Sequence, residues 1–181
     1  MRYPDGHSDE VRARIVEAAS RSLRRDGLDG VSIPKLMKAV GLTHGGFYVH
    51  FKDRDELVAA AIAHAAGESA FAAGATKEAA FARYLSPDHV GHPEFGCVIA
   101  ALGEEGARQT GRVGRAFAEA ARGLLRSVDR RLHPRSQRET PSDEALQKAS
   151  QAVGAVVLAR LIQDDELAAR LLAVAKANAV R

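Results

Sequence analysis

Hydrophobic residues recur every three or four positions along most of this 181-residue chain, which is the period of an amphipathic α-helix. No stretch shows the alternation of apolar and polar residues that is typical of a half-buried strand. The pattern therefore predicts an all-α fold of about nine helices. Two short helices are expected between 32 and 50, and the others cover about 8–26, 53–73, 77–85, 94–107, 112–132, 142–162 and 165–179, with a loop at 86–93.

The two short helices are joined by a tight turn. Ser32 is an N-cap candidate, Pro34 suits a first turn, and Gly41 can end the first helix. Thr43 then begins a second helix of one or two turns. This arrangement is typical of a helix-turn-helix, whose second helix can enter the major groove of DNA. An ordinary helical hairpin would give the same apolar pattern.

The surface of the second helix favours DNA binding over a plain hairpin. It is polar, small and aromatic, and consists of Thr43, His44, Gly45, Gly46, Tyr48 and His50. A glycine inside a helix costs about 1 kcal/mol relative to alanine, so the pair Gly45-Gly46 needs a reason. Close approach of the backbone to DNA is one reason, and for Gly46 tight packing against the preceding helix is another.

This segment resembles the DNA-binding segment of TetR/AcrR-type transcriptional regulators, which are helix-turn-helix proteins of bacteria. The resemblance rests on Gly41-Leu42-Thr43, on Phe47-Tyr48-x-His50-Phe51 and on the run KDRDEL at 52–57, after a helix closed by Gly27. It departs at Arg54, where family members often have lysine. The resemblance implies a DNA-binding domain at 1–52 and a helical domain for effector binding and dimerisation at 53–181.

The resemblance also implies roles for particular residues in the DNA-binding domain. Thr43, His44 and Gly45 are expected to face base edges, and Tyr48 and His50 to contact phosphate or sugar. Lys52 and Arg54 are expected to hold the DNA backbone, together with Ser32 and the first N–H groups of its helix. Phe47 and Phe51 are interpreted as core aromatics.

The last two predicted helices carry more apolar surface than one buried face requires. In the family two such helices from each subunit form a four-helix interface, so a homodimer is expected, with packing inside the monomer as the alternative. A dimer would place its recognition helices about 34–36 Å apart on a roughly palindromic operator. The candidate interface residues are Ala149, Ala152, Val153, Val156, Leu167, Leu171 and Val174.

An effector pocket in the second domain is a further implication of the resemblance. A hydrophobic small molecule is expected there, releasing a repressor from DNA, and no cofactor is expected. The same side chains could instead fill the core. The candidate lining residues, with Cys97 as a neighbour, are Ile62, His64, Phe71, Phe95, Ile99, Leu102 and Phe117.

The charge of the chain indicates how DNA would be bound but does not by itself show that DNA is the partner. The formal net charge is +3, and residues 1–55 hold ten Lys or Arg against eight Asp or Glu, a net charge of +2. Such a domain would bind DNA through positioned contacts rather than through a broad field. A stripe of arginines on one later helix is interpreted as a solvated face, with an anionic ligand or a second DNA contact as the alternative; it comprises Arg112, Arg115, Arg122, Arg126 and Arg130.

Other functional classes find little support. The sequence has no apolar run near 18 residues and no signal-peptide core at its N-terminus, so a cytoplasmic protein is expected. It has no GxSxG, P-loop, HExxH or Rossmann glycine pattern, so an enzyme is not expected. His89 and His92 leave a metal sensor as an alternative, and the single Cys97 leaves a redox sensor. A helical adaptor that does not bind DNA is the third.

Overall fold

The computed structural model describes residues 7–71 and 76–181, and its regular elements there are all helical. This confirms the all-α class, and the described residues form ten α-helices where about nine were expected. Two short 3₁₀ turns, at His44–Gly46 and Pro93–Phe95, interrupt the series. The α-helices are α1 His7–Asp26, α2 Ile33–Ala39, α3 Phe47–His50, α4 Arg54–Gly67, α5 Lys77–Tyr84, α6 Pro87–Gly91, α7 Val98–Ala107, α8 Gly111–Leu132, α9 Asp143–Leu161 and α10 Asp165–Val180.

The middle of the chain departs from the predicted boundaries. The loop predicted at 86–93 contains α6, because the Ser86 hydroxyl accepts the His89 backbone N–H at 3.2 Å and Pro87 occupies the first turn. The helix predicted at 94–107 is divided by the extended backbone of Gly96. Helix α4 ends at Gly67, and the predicted end near 73 lies outside the described residues.

The boundaries of the first four helices follow local sequence signals. Gly27 and Gly41 have φ of 82° and 77°, a left-handed conformation that favours glycine, and they end α1 and α2. The Asp53 carboxylate accepts the Glu56 backbone N–H at 2.7 Å and so caps α4. We call α1–α3 the head and the remaining helices the body.

Two apolar clusters hold the helices together. The first joins the head to α4, α7 and α8 through residues such as Phe47, Ile62, Leu102 and Phe117. The second joins α5, α7, α8, α9 and α10 around Tyr84. Because the first cluster runs from α1 into α8, the head and the body share a continuous core.

Within the described residues, no helix is both long enough and apolar enough to cross a bilayer.

Candidate nucleic-acid interface

Two buried aromatic side chains fix the second half of the helix-turn-helix. Phe47 and Phe51 are almost fully buried, and their rings stack with centroids 5.6 Å apart. They are four residues apart and therefore lie on one side of the short helix. This confirms their interpretation as core aromatics, and it turns the residues between them outward.

The outward side gathers four of the predicted DNA-binding residues. Thr43, His44 and Gly45 are exposed, and Tyr48 is 63% exposed. The rings of His44 and Tyr48 meet edge to face with centroids 6.2 Å apart. We call Thr43, His44, Gly45 and Tyr48, with half-buried Gly46 beside Gly45, the recognition surface. His50 is half-buried at its margin, and Lys52 is exposed just beyond it.

Packing within the chain does not require the glycine pair on this surface. A Cβ atom added at Gly45 would meet nothing within 4 Å. A Cβ atom at Gly46 would lie 3.7 Å from Thr43 Oγ1 and 3.8 Å from Met37 Cε, which is ordinary van der Waals contact. The neighbouring helix therefore leaves room for a methyl group at both positions.

Ser32 and Arg54 sit differently from the recognition surface. Ser32 stands at the N-cap of α2, half-buried, and its hydroxyl makes no capping hydrogen bond there. The Arg54 guanidinium donates to the backbone carbonyl of Leu28, just after α1. Arg54 therefore holds α4 against the end of α1, inside the molecule.

Further exposed residues adjoin the recognition surface that sequence reasoning did not single out. Val49 is 77% exposed, and Lys35 and Lys38 are exposed on α2. The signal for Val49 was present in the sequence. Val49 lies two residues from both Phe47 and Phe51, which is about half a helical turn. If the two phenylalanines face the core, Val49 must therefore face away from it.

The structure separates the residues predicted to line an effector pocket. Ile62, Leu102 and Phe117 belong to the first apolar cluster, and Phe71 belongs to the second. His64 is half-buried, with its Nε2 3.5 Å from Glu68 Oε1, and Phe95 is exposed. Ile99 is partly buried and in contact with both clusters.

Two concave sites of useful size occur elsewhere in the body. A cleft of about 280 Å³ lies beside the C-terminal end of α4, and Phe95 and Cys97 are among its lining residues. An apolar groove of about 370 Å³ lies between α8 and α9, where Ile99, Leu125 and Val153 contribute to its walls. Of the predicted pocket residues, only Phe95 reaches the cleft and only Ile99 reaches the groove.

His89 is fully engaged inside the chain. Its Nδ1 lies 2.6 Å from the Tyr84 carbonyl, and its Nε2 accepts the Cys97 backbone N–H at 2.9 Å. Burial lowers the pKa of His89, so the neutral ring with its proton on Nδ1 fits both contacts. Residues 7–71 and 76–181 contain no group of three or more His, Cys, Asp or Glu arranged to hold a metal ion.

The predicted interface residues divide into buried and exposed sets. Ala149, Ala152 and Val156 are buried in the second apolar cluster of the chain itself. Val153 and Leu171 are half-buried, whereas Leu167 and Val174 are exposed. Three leucines of α9 outside the candidate set are also exposed, namely Leu146, Leu158 and Leu161, the last of which is 72% exposed.

The arginine stripe of α8 has mostly local partners. Arg112 pairs with Asp53 at 2.9 Å, and Arg122 pairs with Glu119 at 2.6 Å. Arg126 lies 3.9 Å from Glu119, and Arg130 donates to the Ser127 hydroxyl. These contacts fit a solvated helix face better than a vacant anion site.

Comparisons with known proteins agree with this geometry. Residues 15–61 match the family described as bacterial regulatory proteins, tetR family. The HTH-type transcriptional regulator AcrR of Shigella flexneri is 36% identical over 50 residues, which is 28% of this chain and 23% of AcrR. The chain thus spans about a quarter of the length of this curated relative.

Solved structures resemble the whole chain rather than the head alone. A TetR-family regulator from Cytophaga hutchinsonii superposes with a TM-score of 0.76 over 98% of this chain and 97% of its own, at 17% identity. AibR, solved with isovaleryl coenzyme A and operator DNA, has a TM-score of 0.59 over 91% and 97% of the two chains, also at 17% identity. The N-terminal segment is thus similar to the tetR family, and the whole chain has the fold of these solved regulators.

Proposed function

We propose that this chain is a transcriptional repressor that binds double-stranded DNA as a homodimer and is released by a small effector. The observation that carries the DNA-binding part is the glycine pair on the recognition surface. Packing leaves both positions free to carry a side chain, yet neither does. Close approach of another molecule to the backbone at Gly45 and Gly46 gives them a function.

The recognition surface has the chemistry to bind a major groove. Thr43 and His44 offer side chains for base edges, and exposed Val49 offers an apolar contact for a thymine methyl group. Tyr48, His50 and Lys52 would contact phosphate or sugar and so set the register on the duplex. Arg54 acts on Leu28 and positions the head, and Ser32 remains a candidate phosphate contact.

The homodimer rests on exposed apolar residues of the last two helices. Leu146, Val153 and Leu161 follow one another on α9 at spacings that keep them on one side, as Leu167, Leu171 and Val174 do on α10. We call these six residues the α9/α10 face. A second copy would cover this face by a two-fold axis, which sets the two heads for a roughly palindromic operator.

The effector part rests on how closely the head and the body are joined. In the proposed division, residues 1–52 bind DNA and residues 53–181 bind the effector and the partner copy. The Arg12–Glu56 pair and the shared core connect the two parts. AibR was solved with both isovaleryl coenzyme A and operator DNA, which supports binding of both a small effector and DNA by this chain. Acting on DNA would place the chain in the bacterial cytoplasm.

Fluorescence anisotropy with DNA from upstream of the chain's own gene tests the proposal. We expect Tyr48→Ala to weaken binding to all operator variants, because it removes a contact to the DNA backbone. We expect His44→Ala to change the ranking of operator variants, because it removes a contact to bases. Lys52→Gln should lower the slope of log affinity against log salt by about one.

Lys176→Gln on α10 is the matched control for loss of a positive charge, since Lys176 is exposed, far along the chain from the head and on the opposite side of α10 from the α9/α10 face. It should leave both affinity and ranking unchanged. Identical specificity profiles for the Tyr48 and His44 variants would contradict the proposed roles, and absence of specific binding by the unaltered chain would contradict the function.

A further inference from the structure

The cleft beside the end of α4 combines an apolar wall with a polar rim. Its volume of about 280 Å³ is at the small end of the range of ligand pockets. Ala70, Phe95 and Cys97 supply apolar surface, and Glu68, Arg83 and Asp88 supply charged groups. It therefore suits a ligand of metabolite size with both an apolar and a polar part.

A buried hydroxyl in the wall of this cleft lacks a partner. Tyr84 is almost fully buried, packed against Phe71 and His89 with ring centroids 5.0 and 4.6 Å away. Its hydroxyl makes no hydrogen bond of normal geometry within the described residues, and the polar group beside it is the Cys97 thiol, which is only a weak acceptor. Burial, and after it the neighbouring Cys97 thiol, raises the pKa of Tyr84 well above its usual value, so the phenol keeps its proton and is a donor. Buried donors are normally satisfied, so this one points to a bound acceptor.

A positive charge stands behind the same wall. The Arg160 guanidinium donates to the carbonyls of His89, Val90 and Ala100 at 2.8, 3.2 and 3.2 Å. No carboxylate of the described part of the chain lies within 4.0 Å of it, so its charge is not neutralised locally. A Cβ atom at Gly96, a lining residue, would lie only 3.2 Å from Arg160 Nη2.

The negative groups of the cleft are already occupied. Glu68 Oε2 pairs with Arg24 at 2.7 Å, and Asp88 Oδ1 lies 3.1 Å from His92 Nδ1. The arginines that remain favour an anion, because a partly buried charge without a counter-charge is costly.

We propose that this cleft binds a small carboxylate that carries an aromatic or branched apolar group. The carboxylate accepts the Tyr84 hydroxyl hydrogen in the field of Arg160, and Arg83 attracts it at the rim. The apolar group packs against Phe95 and Ala70. This inference deepens the proposed function, because it gives the effector a site and a chemical class.

The cleft is also joined to the head. The Arg24 side chain of α1 is fully buried, and it donates to Glu68 at 2.7 Å and to the Gly96 carbonyl at 2.8 Å. Glu68 and Gly96 both line the cleft. A bound carboxylate repels Glu68 and lies beside Gly96, so it changes two of the contacts that hold α1. This step rests on the proposed function, since it matters only if the head binds DNA.

Binding is tested first without DNA, so that the site is judged apart from the proposed function. Ligand-observed NMR titrations would compare 3-phenylpropionate with 3-phenylpropanamide, which has nearly the same shape but no charge. We expect the carboxylate to bind at least about tenfold more tightly, and Tyr84→Phe to weaken it about tenfold. Thr140→Val, which removes an exposed hydroxyl at a position that does not line the cleft, is the control and should bind like the unaltered chain.

Tyr84→Phe removes an unpartnered hydroxyl, so its thermal unfolding should match that of the unaltered chain and show that it folds. Equal binding of acid and amide would overturn the proposal, as would full binding by folded Tyr84→Phe. Failure of 3-phenylpropionate, benzoate, phenylacetate and pentanoate to bind at millimolar concentration would overturn it as well.

The link to the head is tested with Glu68→Gln, which keeps the size of the side chain and removes the ion pair to Arg24. In the unaltered chain 3-phenylpropionate should change DNA affinity by about 5–150-fold. In Glu68→Gln the ligand should still bind, but its effect on DNA affinity should fall below about twofold, whereas Glu166→Gln on exposed α10 should behave normally. An undiminished effect in Glu68→Gln would overturn the link. If the unaltered chain binds 3-phenylpropionate in the NMR titration but does not bind DNA, the proposed function would be overturned and the carboxylate site in the cleft would still be supported.

Discussion

The Glu105 carboxylate of α7 accepts the backbone N–H of Leu28 at 2.9 Å, immediately after the end of α1. The same carboxylate lies against Gly27, whose left-handed backbone ends that helix. A side chain of the body thus holds the last turn of the first helix of the head.

Replacing Glu105 should loosen this junction. Glu105→Ala leaves the Leu28 N–H without its charged acceptor, and we expect a loss of about 1.5–3 kcal/mol in the free energy of unfolding. Glu104→Ala is the control, because the adjacent Glu104 forms only an exposed pair with Arg108 and should cost under about 1 kcal/mol. Urea unfolding measures both variants. Equal losses would show that the Glu105 contact has no special weight.

Alanine substitutions in the glycine pair of the recognition surface should lower DNA affinity without lowering the stability of the fold. Gly45→Ala and Gly46→Ala meet no steric obstacle in the chain, so the free energy of unfolding should stay the same or rise by up to about 1 kcal/mol. DNA affinity should nevertheless fall at least about tenfold, a change of about 1.4 kcal/mol, because a methyl group intrudes on the approaching duplex. Unfolding and anisotropy titrations on the same samples test this. Unchanged affinity would remove the main support for DNA binding here.

Two glycines of α7 should respond in opposite directions. A Cβ atom at Gly106 would stand 2.6 Å from Cδ1 of buried Phe117, so Gly106→Ala should destabilise the fold by about 1–3 kcal/mol. A Cβ atom at Gly103 would meet only Ile99 Cγ2, at 3.9 Å, so Gly103→Ala should stabilise it by about 0.5–1 kcal/mol. Thermal unfolding distinguishes the two. A stabilised Gly106→Ala would mean that α7 and α8 are farther apart than described.

The junction between α8 and α9 should make stability depend on acidity. Hydrogen bonds from the hydroxyl and backbone N–H of Ser142, at 2.7 and 2.9 Å, lower the pKa of Asp129 below its usual 3.8. The folded state therefore favours the ionised carboxylate, and this stabilisation is complete above the usual pKa. It is lost as pH falls through the lowered value. We expect unfolding free energy to fall more steeply below about pH 4 in the unaltered chain than in Asp129→Asn. Parallel curves in urea titrations between pH 6 and pH 3 would contradict this.

The α9/α10 face should control oligomeric state. Leu161→Lys and Val174→Lys place charges on exposed apolar positions, so each chain should still fold but should dissociate into monomers. Gln137→Lys, at an exposed position in the loop before α9, is the control for an added charge. Analytical ultracentrifugation should show dimers for the control and monomers for the other two. Dimers in all three variants would place the interface elsewhere.

The head was predictable because its signals are local. Gly27, Gly41 and Asp53 act on helices within a few residues of themselves, and Phe47 and Phe51 show their shared side by spacing alone. The proposed effector site was not predictable in this way. Ile62, Leu102 and Phe117 have the same apolar character whether they fill a core or line a void, and the structure places them in a core.

The cleft depends instead on how distant segments meet. Tyr84 of α5, Gly96 before α7 and Arg160 of α9 come together only in the folded chain, and none belongs to a motif. α6 was also missed, because a Ser-Pro start next to glycine suggests a loop until the Ser86 hydroxyl is seen to cap a helix. Tertiary placement, rather than residue type, decides such sites.

Selection of bound sequences from a pool of random DNA duplexes is the decisive test of operator binding by a two-fold dimer, because the selection itself reveals the operator sequence. We predict that the unaltered chain enriches two inverted half-sites with centres about 34–36 Å apart, one turn of DNA. Gly45→Ala, although folded, should enrich them poorly. Recovery of no common sequence, or of single half-sites without a two-fold partner, would contradict DNA recognition by such a dimer.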